Sequence, residues 1–454
     1  MKTQMNGYGK NFLSMLGTPI SWKVITMGVL TLLLLKPVSM IESLINERET
    51  RQREVVTEIS SKWAGQQTIN GPVVSIPYKA PNGSLLYLHF LPEKLHIAAT
   101  VHPEYRYRGI FKAVLYEADL VLTGSFTYPQ TEELKIPRND IEWESASIAV
   151  GVSDVRGIRE QTATVNDTGI PMNPGLQTAD LMSSGVSAPI ELDRRTKEYA
   201  FKFVLKVRGS ERINFVPLGK STRVSLSSEW SDPSFDGAYL PERHIGPTTF
   251  DATWDISDVN RDYPQYWKGS AYRKQAQSSA FGVGLFSPVD FYQKSMRTTK
   301  YAILFVALTF VAFFASELVV RVRLHPIQYL LIGLAITTFY TLLISLSEHF
   351  GFGWAYGVSS VSVVALVTVY AASILKSRRL ATIVGGVLSM VYAYLYWVLQ
   401  MVDYAFVAGS VGLFAVLGVI MLLTRKIDWY ALTLVAEPQE AEVLSEESSA
   451  ELAE

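Results

Sequence analysis

Six long apolar runs constrain this chain more than any other feature. Five lie close together, at residues 301–320, 327–347, 352–375, 380–399 and 403–424. About 20 apolar residues in a helix cross a hydrocarbon layer of about 30 Å, and inside that layer only helices and closed barrels satisfy their own backbone hydrogen bonds. Each run is therefore expected to be a transmembrane helix. The sixth, residues 20–40, contains VITMGVLTLLLL followed by Lys36 and Pro37. Lys2, Lys10 and Lys23 precede its apolar centre, as in a secretory signal peptide, but Val38, Ser39 and Met40 lack the small-residue pattern that a signal peptidase cuts. The run is expected to stay as an anchor, with Lys36 extended toward the headgroups.

Short loops that keep lysine and arginine on one side set the orientation. With the N-terminus inside, the inner segments carry Lys2, Lys10 and Lys23, then Arg321 and Arg323, then Lys376, Arg378 and Arg379, then Arg425 and Lys426. The outer turns at 348–351 and 400–403 carry none. Six spans with both termini cytoplasmic follow. Trp22, Trp429 and Tyr430 then mark the inner interface, and Tyr394, Tyr396 and Trp397 the outer one.

Composition separates two materials. Over 454 residues 48% are hydrophobic and 18% charged, but these averages merge the apolar runs with a mixed, Pro- and Gly-punctuated segment at 41–300. A net charge of −1 offers no basic surface for nucleic acid. Without cysteine, disulfides, thiolate metal sites and a cysteine nucleophile are excluded.

Just past the anchor, IESLINERETRQREVVTEISSKW spaces Ile41, Leu44, Ile45, Val55, Val56, Ile59 and Trp63 as a helical stripe. It reads as a stalk helix whose stripe packs on the domain's own sheet. The period then changes to two in GPVVSIP, SLLYLHFL, FKAVLYEADLVLTGSF, EYAFKFVLKV, RVSLSSEW and TTFDATWDI, which predicts a mainly antiparallel β domain. Residues 161–187, rich in Thr, Gly, Pro and Ser, read as a long loop or a joint between two β subdomains. Similar segments at 91–97 and 240–245 raise the option of a duplicated module. The last 18 residues hold seven glutamates and no cation, the composition of a disordered tail.

Motifs for chemistry fail one by one. Gly219-Lys220-Ser221 lacks the upstream glycine of a phosphate loop, where Asn214 stands, and precedes a strand pattern. Ser373 and Lys376 match SxxK at the inner end of a span, where Lys376 is explained by orientation. Gly151 to Val155 lacks the closing glycine of a nucleophile elbow. His89, His96, His102 and His244 show no metal-ligand spacing. In the C-terminal spans the ionisable residues sit near the ends, leaving Thr337, Thr338 and Tyr340 as the mid-depth polar groups of one span, against ion-coupled transport. Gly353 and Gly357 form a weak GxxxG packing signal.

Two polar clusters remain. In ASELVVRVRLHPIQYLLIGL, Glu317 precedes Arg321 by one helical turn, the order that favours an ion pair, and Pro326 suits the first turn of the next span. His325 has no structural role readable from sequence. Glu348 and His349 lie a whole span further on, about 36 Å at 1.5 Å per residue, so the two clusters cannot share a site.

The same stretches carry a resemblance. LHPIQYLLIGL (324–334), LSEHFGF (346–352), TRKIDWY (424–430) and TTKYAILFVALTFVAFF (298–314) resemble signature segments of the CreD inner-membrane protein family, as do GPVVSIP, VSDVRGI and DPSFDGAYLP in the β part. The similarity covers nearly the whole chain and stops before the acidic tail after Pro438. It implies a bacterial inner-membrane protein, produced under the CreBC two-component system and tied to envelope integrity, colicin E2 tolerance and, in some bacteria, the β-lactam response. It brings no catalytic residues.

The expected fold is an α+β membrane protein with an N-terminal transmembrane anchor, a large mainly antiparallel β periplasmic domain and a C-terminal bundle of five transmembrane helices. Its expected parts are residues 1–41 (N-terminus and first span), 42–298 (periplasmic, with a stalk helix at 42–63), 299–426 (bundle) and 427–454 (cytoplasmic tail, disordered from about 437). The expected role is non-catalytic: the β domain contacts an envelope component, a periplasmic or inner-membrane protein partner, while the bundle sits in lipid. No nucleic acid, metal or cofactor is expected, and no catalytic, cofactor-binding or metal residue is assigned. The alternative is an enzyme or carrier for a lipid or cell-wall precursor in the bundle, with Glu348 and His349 at the outer interface as its candidates.

Overall fold

The structure, a computed structural model, describes residues 19–129, 136–285, 291–320, 324–401 and 404–425. It divides into two compact units, Thr50–Pro288 and Met1–Glu49 with Val289–Glu454. Helix α1 (Pro19–Trp63) is shared between them. The strands follow as β1 (Gln67–Lys79), β2 (Leu85–Phe90), β3 (Lys94–Arg108), β4 (Phe111–Thr127), β5 (Ser147–Val152), β6 (Ile158–Val165), β7 (Thr168–Gly169), β8 (Asn173–Pro174) and β9 (Gly185–Pro189). After these come β10 (Glu198–Ser210), β11 (Arg212–Val216), β12 (Ser221–Ser228), β13 (Pro233–Gly237), β14 (Glu242–Ile245), β15 (Phe250–Ser257), β16 (Tyr266–Lys268), helix α2 (Arg273–Ser278) and β17 (Phe281–Leu285).

All six alternating segments are strands, and they assemble into two sheets. The nine-stranded sheet has the order β13-β17-β11-β1-β5-β9-β8, with β2 pairing β1 and β16 pairing β2. The eight-stranded sheet runs β14-β15-β12-β3-β4-β10-β6-β7. Two pairs are parallel, β1 with β11 and β3 with β12, within an otherwise antiparallel arrangement. Ile69, Val150 and Ile213 of one sheet and Ile97, Phe203 and Trp254 of the other join a single buried cluster, which makes the unit a two-layer sandwich. Burying each such aliphatic or Phe side chain is worth about 1.5–3 kcal/mol. With no disulfide available, this core must hold the fold.

Residues 161–187 do not join two subdomains. They leave the eight-stranded sheet at β6, add the edge strands β7 and β8, and enter the other sheet at β9, so they cross between the layers of one sandwich. The similar segments at 91–97 and 240–245 do not lead into equivalent strands: β3 is an inner strand with alternate residues buried, whereas β14 is an exposed edge.

Anchor and stalk form one helix. The 45 residues of α1 run through Pro37 and, at about 1.5 Å each, reach about 68 Å, more than twice the hydrocarbon thickness. Its apolar stripe divides, which corrects the expectation that it packs wholly on the sheet. Ile41 and Ile45 are buried with Leu34 and Val38 in the helical core, while Trp63 lies 3.9 Å beneath the Arg208 guanidinium of β10.

The helical unit continues with α3 (Phe291–Lys300), α4 (Ala302–Val320), α5 (Pro326–Phe350), α6 (Phe352–Ile374), α7 (Arg378–Gln400) and α8 (Ala405–Thr424). Among the described residues α1, α5, α6 and α7 are long and apolar enough to cross a membrane, and α3 with α4, bent by 45°, make a fifth if counted as one span. Helix α8 adds 20 mostly apolar residues. Leu32, Trp354, Val361 and Met390 are exposed on these helices, an apolar surface suited to lipid. The Gly353/Gly357 pair makes no close packing seam: a Cβ on Gly357 would meet open space. Close approach occurs instead at Gly333, beside Leu34, and at Gly385, beside Thr368. Arg321, Arg323, Lys426, Trp429, Tyr430 and the acidic tail lie outside the described residues.

Candidate functional site

The two polar clusters of the helical unit are structural locks. Glu317, 6% exposed, pairs with Lys23 of α1; Arg321, its expected partner, lies outside the described residues. The same carboxylate accepts from Tyr329 Oη at 3.1 Å and from the Leu324 backbone N–H at 3.2 Å. One buried charge thus ties α1, α4 and the entry to α5 together. His325, without a role in the sequence, is the N-cap of α5: its Nδ1 accepts from the Ile327 N–H at 3.3 Å, and Gln328 Oε1 accepts from the His325 N–H at 2.9 Å.

Glu348 and His349 do not converge. Successive residues on a helix point about 100° apart. Glu348 turns inward, accepting from Tyr292 Oη at 3.0 Å with Arg48 Nε 3.9 Å away, whereas His349 is exposed and its Nδ1 donates to the Ser345 carbonyl oxygen of its own helix at 3.1 Å. The two side chains thus face different surroundings.

In the sandwich, His96 and His244 are exposed on their strands, and His102 lies 3.4 Å from Asp119 at the surface. Among the described residues no three potential ligands gather to hold a metal ion. His89 differs. The β1–β2 hairpin closes on Pro81-Asn82-Gly83, with Gly83 at φ +81° as such a loop requires, and its register sets Ser75 opposite His89. On the other side β16 sets Trp267 opposite His89. Ser75 Oγ is 3.0 Å from His89 Nδ1, His89 Nε2 is 3.3 Å from Asp180 Oδ2, and the imidazole lies 5.9 Å from the Trp267 ring. The His89 bond holds the Asp180 carboxyl below its usual range against partial burial.

These are the residue types of a serine hydrolase, and no sequence motif marks them. The arrangement is closed, however. His89 is 1% exposed and Ser75 5%, and the void beside them, covered by Leu176, Leu181 and Met182, measures about 10 Å³. That is about the space of one water molecule.

A family described as "Inner membrane protein CreD" matches residues 19–430. "Inner membrane protein CreD" of Escherichia coli (strain K12) is 32% identical over 447 residues, which cover 95% of this chain and 99% of that protein. Solved structures give weak likenesses. An M1 zinc metallopeptidase from Deinococcus radiodurans aligns over 43% of this chain and 42% of that chain, at 10% identity and a TM-score of 0.21. A mutant of that metallopeptidase with a bound Tyr-Ser-Ala substrate aligns with a TM-score of 0.22, at 11% identity and with the same coverage.

Proposed function

Because the chain belongs to the CreD family of inner membrane proteins, we propose that it is a bacterial inner-membrane protein that supports the envelope by non-covalent contact through a periplasmic β domain. Six spans (α1, α3 with α4, and α5 to α8) leave both termini in the cytoplasm. The placing of Lys23, Lys376, Arg378, Arg379 and Arg425 at inner ends supports this orientation. The contact is with a periplasmic or inner-membrane protein. Production under CreBC and an effect on colicin E2 tolerance belong to the same reading.

One observation carries the non-catalytic part. Acyl transfer needs the reacting carbonyl within about 3 Å of the nucleophile and of oxyanion donors, and the void of about 10 Å³ at Ser75 admits no such group. The Ser75–His89–Asp180 chain is better suited to fastening the 176–184 segment onto the sheet. In the helical unit, the divergence of Glu348 and His349 weighs against a site shared by these two candidates.

The test is complementation in cells lacking their own copy. Ser75→Ala at unchanged protein level is expected to keep colicin E2 tolerance, and crosslinking in those cells is expected to recover an envelope protein on the β domain. Loss of tolerance in Ser75→Ala at wild-type abundance would sink the non-catalytic reading.

A further inference from the structure

We infer that the face of the nine-stranded sheet turned away from the sandwich core holds a binding site for an uncharged saccharide. Ile69, Ile213 and Phe215 point into the shared core, so alternation sends Thr68 and Asn70 of β1 and Asn214 of β11 to the opposite face. Thr68 and Asn214 are direct register partners. Above this row lie Met182 and Ser183 of the 176–184 segment and Gln277 of α2, and together they enclose a cavity of about 320 Å³. Sites for small ligands start at about 300 Å³.

Three features set the ligand's chemistry. First, no lining residue is charged, so an anion or cation would lose its hydration with no counter-charge in the wall. Second, the side chains of Thr68, Asn70, Ser183, Asn214 and Gln277 make no hydrogen bond among the described residues. Hydroxyls and amides both donate and accept, which matches neighbouring sugar hydroxyls that do the same. Met182, Val216 and Ala280 add a small apolar strip for the C–H side of a ring.

Third, β11 and β1 lie inside the sheet with β17 and β5 beyond them, so an extended peptide has no free edge to pair with here. Space for the amides is kept by glycines in the neighbouring strands. Gly282 is opposite Asn214 and Gly151 opposite Asn70. A Cβ on Gly282 would stand 2.6 Å from Asn214 Oδ1, and one on Gly151 would overlap Met182 Sδ.

This inference rests on the reading that the β domain acts by binding, and its test does not involve Ser75. Full-length protein in lipid nanodiscs is titrated, with calorimetry and saturation-transfer NMR as readouts, against a trimer of N-acetylglucosamine, maltotriose and an acetylated, amidated alanine tripeptide. Either sugar should bind, and which one does separates an acetamido sugar from a plain hexose. Affinity should be unchanged from about 50 to about 500 mM salt. Asn70→Ala and Asn214→Ala should each weaken binding about tenfold. The exposed Gln277→Ala and Ser183→Ala, which leave the sheet intact, should weaken it about threefold at an unaltered melting temperature, and Thr100→Ala on the other sheet should not change it.

Binding of neither sugar, a preference for the tripeptide, or affinity retained in all four cavity variants overturns the assignment. Loss of tolerance in Ser75→Ala with sugar binding intact would instead overturn the non-catalytic reading alone.

Discussion

Lys23 and Glu317, 294 positions apart in the chain, form an ion pair that joins the first apolar helix to the end of α4. The carboxylate is nearly buried and has two further donors, Tyr329 Oη and the Leu324 N–H. Stranding a buried charge costs more than removing both members of its pair. Lys23→Met is therefore expected to lower stability by about 1–3 kcal/mol, and Lys23→Met with Glu317→Gln by less, since the amide oxygen still accepts. Thermal melts in detergent micelles check the order, and a double variant less stable than Lys23→Met contradicts it.

His325 caps α5 through an Nδ1 acceptor and receives Gln328 in return. Asparagine offers an acceptor oxygen at similar reach, whereas alanine leaves the first turn open. His325→Ala is expected to cost about 1 kcal/mol and His325→Asn a few tenths. The measurement is again the melting temperature; equal losses in the two variants would show that the ring acts by packing rather than as a cap.

Asp154 accepts from the Arg156 guanidinium at 2.6 and 2.9 Å and from the N–H groups of Gly65 and Arg156 at 3.0 and 3.2 Å. The Arg156 side chain is the main reason its carboxyl is held at about 2, against the opposing effect of partial burial. An unfolded aspartate titrates at about 3.9. The folded value is the lower one, so this contribution is complete above about pH 4 and is lost as pH falls toward about 2. Solvent screening of the exposed pair keeps it small. Asp154→Asn should flatten the fall in melting temperature across that window. Glu58, held at about 2 chiefly by Arg108, supplies part of the slope that remains. Identical slopes in wild type and variant would exclude the role given to Asp154.

Periodicity made the elements legible, while long-range partners stayed hidden. Each alternating segment is a strand, because period two is imposed locally by the pleat. Whether α1 would break between anchor and stalk could not be read, since Pro37 permits either outcome and the packing of Ile41 and Ile45 decides it. The turn Pro81-Asn82-Gly83 fixes Lys79 opposite Leu85, and stepping outward along that register reaches Ser75 opposite His89. That pair was within reach of sequence reasoning. Asp180 was not, because 91 residues separate it from His89 and no local rule sets their contact. Nor was the pairing of Lys23 with Glu317, 294 positions apart, which depends on where α1 enters the helical unit. Thr68 and Asn214 look like ordinary polar strand residues until the parallel pairing of β1 and β11 sets them side by side.

The six-span arrangement can be tested directly because the chain has no cysteine, so each introduced thiol reports alone. Helices α6 and α7, with 23 residues each, extend about 35 Å at 1.5 Å per residue, enough to cross once. Consecutive crossings must then place their connecting turns on alternate sides, and the turns with Arg378 and Arg425 should face the cytoplasm. Thr100→Cys on β3, Phe350→Cys at the end of α5 and Tyr404→Cys before α8 are exposed positions that the proposed orientation puts in the periplasm. A membrane-impermeant maleimide added to intact spheroplasts is expected to label these three, and to label Arg378→Cys and Arg425→Cys only after lysis. Phe350→Cys labelled with Tyr404→Cys protected would mean that α6 and α7 do not both cross. Arg378→Cys labelled in intact spheroplasts would place the cationic turn outside and reverse the orientation from which the periplasmic site of the β domain is argued.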